Sequence, residues 1–403
     1  MAAPDIIIAG AGFVGRLLAL AIDRASGGGL SVRILDAAPA GRAPDDIRTY
    51  AIAAGTRRML EELQLWASLA PLAEPAREMR IGDGRLADAV RPVLLTLAGE
   101  VTPGEAFAHF VDGRDLQRSV AEACAASGIE VEHGRRITAI EAGLHDVSIP
   151  GLADGARLVV GADGARSAVR KAAGIATVGW PYRQAAIITI VRRELPHEGV
   201  AVQHFLPGGP FALLPLPGDR SGIVWTERQE AAERLIALPP ERFVEELCRR
   251  AGPEVGDLKV EEAPRLYPLE LGLARAFVKP RIALVGDAAH RLHPLAGLGL
   301  NLGLRDVAAL TEVLVEASRR GEDIGSMAVL ERYQRWRRFD TVEVAAATEG
   351  LNRLFSNDLG PLRVIRDLGL GLVDRIAPLK RRLVREAAGT DGRLPRLMRG
   401  EPV

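Results

Sequence analysis

DIIIAGAGFVGRLLALAIDRASGGGLSVRILD, residues 5–36, decides how this chain begins to fold. Residues 5–9, DIIIA, are an apolar β-branched run closed by Gly10, the pattern of a short buried strand. Gly10, Gly12 and Gly15 follow at GxGxxG spacing, and RLLALAIDRA then recurs at helical intervals. SVRILD returns to a strand pattern that ends on Asp36, 21 residues after Gly15. Such a strand–turn–helix–strand unit binds a dinucleotide: one glycine makes the tight turn, one lets backbone approach a pyrophosphate, and one lets helix and strand pack closely. The helix N-terminus points its free amides at the phosphates. Asp36 is placed to accept hydrogen bonds from the adenosine ribose hydroxyls.

Outward from this unit, 47–70 reads as a helix ending near Pro71, and 112–127 as another helix, followed by strands at 129–133 and 137–141. LVVGADGARSAVRKAAGI, 158–175, is a second strand–turn–helix. From 177 to 278, alternating runs such as AAIITIVRRE, PFALLPLP and SGIVWTE are separated by Gly and Pro turns, which predicts an antiparallel sheet interrupted by one helix at 239–251. RIALVGDAA, 281–289, is again a buried strand, 299–320 a long helix, and everything after 326 helical. The predicted fold is α/β: a dinucleotide-binding Rossmann-like domain of 1–73, 108–176 and 280–325, interleaved with an antiparallel-sheet substrate domain of 74–107 and 177–279, and a helical region at 326–403.

Composition narrows the setting. A chain of 403 residues, 48% of them hydrophobic, has ample material for two or three domains at about 150 residues each. Fifty-two basic residues cancel 52 acidic ones, so no global field draws it to nucleic acid. Only four of the basic residues are Lys, a skew assigned to genome composition. Cys124 and Cys248 are far apart, without CxxC spacing or clustered His, which argues against a disulfide framework and a metal site. Asp5 and the lack of a basic stretch before the first apolar run argue against a secretory signal, and no run reaches the 18 apolar residues of a membrane span. The expected setting is cytoplasmic and reducing.

Two further motifs separate flavin from nicotinamide as the bound dinucleotide. GADGARSAVR, 161–170, carries Asp163 and Gly164 at a strand end, and LVGDAAHRLHPLAGLGLNLGLRDVAAL, 284–310, carries Gly286 and Asp287 before an apolar Pro/Gly loop and a helix opening at Gly299, Leu300 and Asn301. An acid at a strand terminus suits a ribityl hydroxyl, and helix N-terminal amides suit an electron-rich flavin carbonyl. With these three motifs in order, the chain resembles the class A flavoprotein aromatic hydroxylases of the para-hydroxybenzoate hydroxylase type. Within them it is most similar to the UbiH-like hydroxylases of ubiquinone biosynthesis, over about residues 5–390. The stretches WPYRQAAIITIVRRE, VAVQHFLPGGPFALLPL, IVWT and RLFSND carry the likeness to that branch.

The resemblance implies that Gly10, Gly12, Gly15 and Asp36 hold the adenosine diphosphate half of FAD, with Arg48, Arg114 and Gln117 near the cofactor. It implies that Asp163 and Gly164 serve both FAD and a transient NADH or NADPH donor. Gly286 and Asp287 would bind the ribityl chain, and Pro294, Gly297, Gly299, Leu300 and Asn301 would lie against the isoalloxazine. The family's usual GQG reads Gly297–Leu298–Gly299 here, so any side-chain role of that Gln is lost. Trp180, Tyr182 and Gln184 are candidate substrate contacts, with core or turn packing an equal alternative. His290 and His293 invite a general-base reading against that of loop histidines bonded to backbone.

The activity so implied is an FAD-dependent monooxygenase that hydroxylates the ring of a polyprenyl phenol with NAD(P)H and O2, through a flavin hydroperoxide. Two alternatives stand beside it: a hydroxylase of the same fold acting on a soluble aromatic or polyketide-like compound, and a non-catalytic FAD-fold accessory protein of a biosynthetic complex. Residues 361–400 carry ten basic residues against four acids, with Leu362, Ile365, Leu368, Leu372, Ile376 and Leu379 at helical spacing. A basic amphipathic helix there would associate with the inner face of an anionic membrane or a membrane-bound complex; the alternative is that its apolar face packs on the protein.

Overall fold

The computed structural model describes residues 3–41, 45–86, 91–98, 100–294, 298–355 and 374–403. Ile6–Ala9 is the strand the opening run predicts, and Ile6, Ile7 and Ile8 are all 0% exposed. Burial on both faces is what a central parallel strand requires. Its neighbours are Val32–Asp36 on one side and Leu158–Gly161 on the other, both parallel to it. Glu130–His133 extends the sheet beyond Val32–Asp36, Ile282–Leu284 beyond Leu158–Gly161, and Val278–Lys279 closes that edge antiparallel.

The second large sheet is mainly antiparallel. Its order runs His290–Arg291, Arg265–Ala274, Thr177–Arg193, Arg220–Arg228, Gly209–Leu216, Val200–Leu206, Glu78–Asp83 and Val93–Ala98. Leu258–Val260 adds to Thr177–Arg193, and Val200–Leu206 pairs parallel with Glu78–Asp83. Trp225, Phe211, Phe243 and Leu247 bury its outer face under two helices, Gln229–Ile236 and Pro240–Ala251, where one was expected.

Other local expectations fail as well, among them helix throughout after 326: beyond Ala387 only the short turn Arg396–Arg399 is helical, because Gly389, Gly392 and Pro395 interrupt the run. Residues 47–53 are not helical: Thr49–Ala53 is a strand paired with Ala108–Asp112, and the helix begins only at Ala54 and ends at Glu62. Ile52 sits fully buried, so a tertiary partner overrides the helical spacing. At 137–141 only the pair Glu141–Ala142 is strand, against Val147–Ser148 rather than beside 130–133.

The helices Leu298–Arg319 and Met327–Phe355 meet around a buried charge network. The Asp306 carboxylate is 0% exposed and accepts from the Gly286 backbone N–H (2.9 Å) and Arg337 Nε (2.8 Å), with His290 Nε2 at 2.5 Å. Arg337, equally buried, also donates to Asp340 (2.7 Å). Burial alone would push the Asp306 carboxyl up, but His290 and Arg337 hold it below the ordinary carboxylate range. Tyr333 of the same helix donates to the Leu284 carbonyl (2.7 Å).

Of the basic amphipathic run, residues 361–373 lie outside the described residues. Beyond them, Ala377–Ala387 is a helix whose Val384, with Ala388 just after it, packs with Ala51, Phe107 and Phe110. Leu397 and Met398 belong to the main core. This part therefore packs on the protein while Arg381, Arg382 and Arg385 stay exposed. Among the described residues no helix is long and apolar enough to cross a membrane.

Arg337→Met keeps most of the volume and removes the cation that compensates Asp306. Because it strands a buried carboxylate, it is expected to destabilise by about 3–5 kcal/mol, read from denaturant unfolding at fixed flavin saturation. An unchanged midpoint would contradict the role of this pair in holding the helices together.

Candidate FAD site

The parallel sheet brings four sequence motifs to one edge. Going across it, Asp36, Gly10, the Ala162–Asp163 turn and Gly286–Asp287 follow the C-terminal ends of four adjacent strands. At the usual strand spacing they span about 14 Å. The chain leaves Ile6–Ala9 toward one neighbour and later enters the other, so the crevice here is the topological switch point at which open α/β sheets bind ligands.

Each glycine of the first motif has its own reason. Gly10 has φ +103°, and a Cβ on it would lie 2.6 Å from the Ala162 carbonyl oxygen. A Cβ on Gly15 would lie 2.0 Å from the Gly10 carbonyl oxygen, so this glycine lets the helix Phe13–Ser26 approach the turn. Gly12 caps that helix, and a Cβ there meets nothing within 4 Å. Only its open side leaves room for a pyrophosphate against the helix amides. Asp36 accepts from the backbone N–H groups of Ala11 and Ala38, both at 2.7 Å, which binds the glycine turn to the end of the second strand.

Asp163 does two things. Its Oδ2 accepts from Ala168 N–H (2.6 Å) and Val169 N–H (3.1 Å), capping the helix Ala168–Ala172, while its buried Oδ1 has no partner. Gly164 beside it has φ +74°. Arg170, from the same motif, donates to the carbonyls of Ala165 (2.8 Å) and Ala288 (2.7 Å), tying this turn to the Gly286–Ala288 turn. Gly286 has φ +58°, and the Asp287 side chain beyond it is exposed. The short pairing of His290–Arg291 with Gly272 and Leu273 places this turn where the two large sheets meet.

Arg48 and Gln117 converge on a residue the sequence reading passed over. Asp46 receives Arg48 Nε (2.7 Å) and Nη2 (2.6 Å), the Tyr50 hydroxyl (2.7 Å) and Gln117 Nε2 (3.3 Å). Burial pushes the Asp46 carboxyl up, and Arg48 and Tyr50 more than offset it, leaving it below the ordinary range. Arg48 stands above its usual value against burial because Tyr50, Asp46 and Asp287 surround it, which puts the Arg48 guanidinium in the field of the strand-end acid. Arg114 is engaged elsewhere, by Asp112 (Nη2, 2.7 Å) and by Glu262 (Nη1, 2.5 Å) of the substrate-sheet side.

In the last motif, Gly299 offers open space to a Cβ and Leu300 is half-buried. Gly303 lies against the Gly286 backbone, 3.2 Å from its own Cβ position. Asn301 is spent on the protein: its amide donates to Ala51 O (2.8 Å) and accepts from Ala53 N–H (3.1 Å) and the Thr56 hydroxyl (2.9 Å). Pro294 is exposed next to this helix start, and Gly297 lies outside the described residues. Of the two histidines, His290 is bonded to a carboxylate rather than to backbone, and His293 has no hydrogen-bond partner among the described residues.

The open face at Gly12, the unpartnered Asp163 Oδ1 and the exposed Asp287 carboxylate fit an extended dinucleotide laid along the sheet edge. Gly12→Val would fill the open side expected to admit a pyrophosphate, and Asp287→Ala would remove the acid expected to bind the ribityl chain. Both should give folded protein with at most one-tenth of the wild-type flavin, a loss of about 1.4 kcal/mol or more in cofactor affinity. Full flavin absorbance in both purified variants would overturn this placement.

Comparison with known proteins agrees with the geometry. The FAD binding domain family matches residues 4–346. The chain is 42% identical to the ubiquinone hydroxylase UbiL of Rhodospirillum rubrum, over 99% of this chain and 93% of that protein. It is 33% identical to the 3-demethoxyubiquinol 3-hydroxylase of Escherichia coli, over 96% and 98%. Its fold matches that of the p-nitrophenol 4-monooxygenase PnpA of Pseudomonas putida with a TM-score of 0.79 at 19% identity, covering 97% of this chain and 99% of PnpA. The chain belongs to the FAD binding domain family and is a flavoprotein monooxygenase whose cofactor is FAD.

Proposed function

We propose that this protein hydroxylates the aromatic ring of a polyprenyl phenol in ubiquinone biosynthesis, using NADH or NADPH as a transient donor and O2. The observation that carries the reading is the convergence of Asp36, Gly10, Asp163 and Asp287 at adjacent strand ends, in a chain alike over almost its whole length to two ubiquinone hydroxylases. The residues at these strand ends would hold FAD, which when bound would supply the redox chemistry for a monooxygenation in which one oxygen atom of O2 enters the ring and the other leaves as water.

The chain's own residues bind, orient and exclude water. Gly12 and the amides of Phe13–Ser26 take the pyrophosphate, Asp36 faces the adenosine ribose, and Asp287 takes the ribityl hydroxyls. Asp163 Oδ1 supplies an acceptor between them. Asn301 holds the strand Thr49–Ala53 against the helix that carries Gly299 and Leu300. The antiparallel sheet, with 74–107 and 177–279 as a substrate domain, covers the ring end of the cofactor. Trp180, Tyr182 and Gln184 sit on its strand Thr177–Arg193, facing the helix Met327–Phe355.

Lipid extracts of a strain lacking the gene test this directly. They should accumulate a prenylated phenol one hydroxyl short of the normal intermediate and recover ubiquinone when the gene is restored. Unchanged quinone content would contradict the reading.

A further inference from the structure

The seam between the strand Thr177–Arg193 and the helix Met327–Phe355 runs from the surface inward. Trp180, 41% exposed, carries Arg353 over its ring at 5.6 Å. Tyr182 is half-buried, and burial together with the Glu349 carboxylate raises its phenol above the usual value. Gln184, 8% exposed, accepts from Asn352 Nδ2 at 3.2 Å. Against the middle of this seam lies His293, on the loop that follows the Asp287 turn. Its ring stands edge-on to Tyr182, centroids 5.3 Å apart at 74°.

His293 is 0% exposed, and among the described residues neither ring nitrogen has a hydrogen-bond partner. Its neighbour His290 is just as buried and is matched to Asp306, so the contrast is not a general feature of this loop. Burial lowers the His293 imidazole to about 4, so at neutral pH it is uncharged, with one N–H donor and one bare acceptor nitrogen. A buried polar group without a partner carries its full desolvation penalty, which a ligand that supplies the missing bond would relieve. His293 differs from the other buried histidines in leaving both ring nitrogens without a partner among the described residues. Tyr182 presents its ring to His293, and its hydroxyl is in the field of Glu349.

We infer that His293 is the polar anchor of the aromatic substrate: its bare nitrogen accepts the hydrogen bond of the ring hydroxyl, with the ring held beside Tyr182. This rests on the phenol-hydroxylase reading and adds to it the residue that recognises the hydroxyl. Accepting that bond draws the hydroxyl proton toward the imidazole and leaves the ring more electron-rich, which favours its attack by electrophilic oxygen. An uncharged imidazole does this without placing a cation beside the ring.

The test uses FAD-loaded enzyme, with binding read from the perturbed flavin absorbance. Two probes are compared, 2-prenylphenol and prenylbenzene, which lacks the hydroxyl. Wild type should prefer the phenol by about tenfold, His293→Phe should bind the two within about twofold, and His293→Gln, with a donor and acceptor of its own, should keep part of the preference. An undiminished preference in His293→Phe, or none in the wild type, overturns the inference while leaving the phenol-hydroxylase reading standing. Wild type that binds neither probe overturns both. If the variants lose flavin or fold, nitrogen-15 spectra of the wild-type histidines decide. The bare His293 nitrogen should shift with 2-prenylphenol and not with prenylbenzene, and a signal indifferent to both overturns the inference.

Discussion

Asp306 is buried in the middle of a helix, and one of its oxygens takes both the Gly286 N–H and His290 while the other takes Arg337. A carboxylate with no access to water is stable only when its charge and lone pairs are matched, and here they are matched by three separate segments. Through Gly286 it sets the turn that projects Asp287; through His290 it fixes the short strand joining the two sheets; through Arg337 it pins the long C-terminal helix. That helix in turn brings Glu349, Asn352 and Arg353 against Tyr182, Gln184 and Trp180 of the strand Thr177–Arg193. The Gly286–Asp287 turn and the strand Thr177–Arg193 are thus tied to one buried network.

A second network does the same work on the opposite side of the crevice. Asp46 gathers Arg48, Tyr50 and Gln117 and presents Arg48 toward Asp287. Arg114 bridges Asp112 to Glu262, across the junction between the small strand pair and the large sheet. Arg48 is therefore held near Asp287 already oriented by a carboxylate, which reduces the rotamer freedom it would lose if a ligand arrived there.

The parts legible in the sequence are those with strong local signals. The glycine turn, the strand-end acids and the helices at 13–26, 113–126 and 298–319 follow from apolar spacing and from the glycines that close sterics require. What escaped was set by tertiary partners. TYAIA at 49–53 has residues that suit either element, and only the edge offered by Ala108–Asp112 makes it a strand. Asp46 carries no motif, and Asp306, though inside the stretch 284–310, is given no role by its motif; an acid inside the apolar run of 298–319 is itself a sign that a buried partner exists. Arg337, 31 residues further on, has nothing local that names it as that partner. Asn301 was legible as a member of its motif, but its amide is bonded to the strand Thr49–Ala53, a contact between residues about 250 apart.

As proposed, this chain transfers one oxygen atom from O2 to a phenol ring. The direct measurement is mass analysis of product from FAD-loaded enzyme supplied with NADPH or NADH, oxygen-18 gas and 2-prenylphenol. The account predicts a hydroxylated product carrying one oxygen-18 atom, formed only when both donor and phenol are present. Donor oxidation that yields hydrogen peroxide alone, or a product whose new oxygen comes from water, would contradict it.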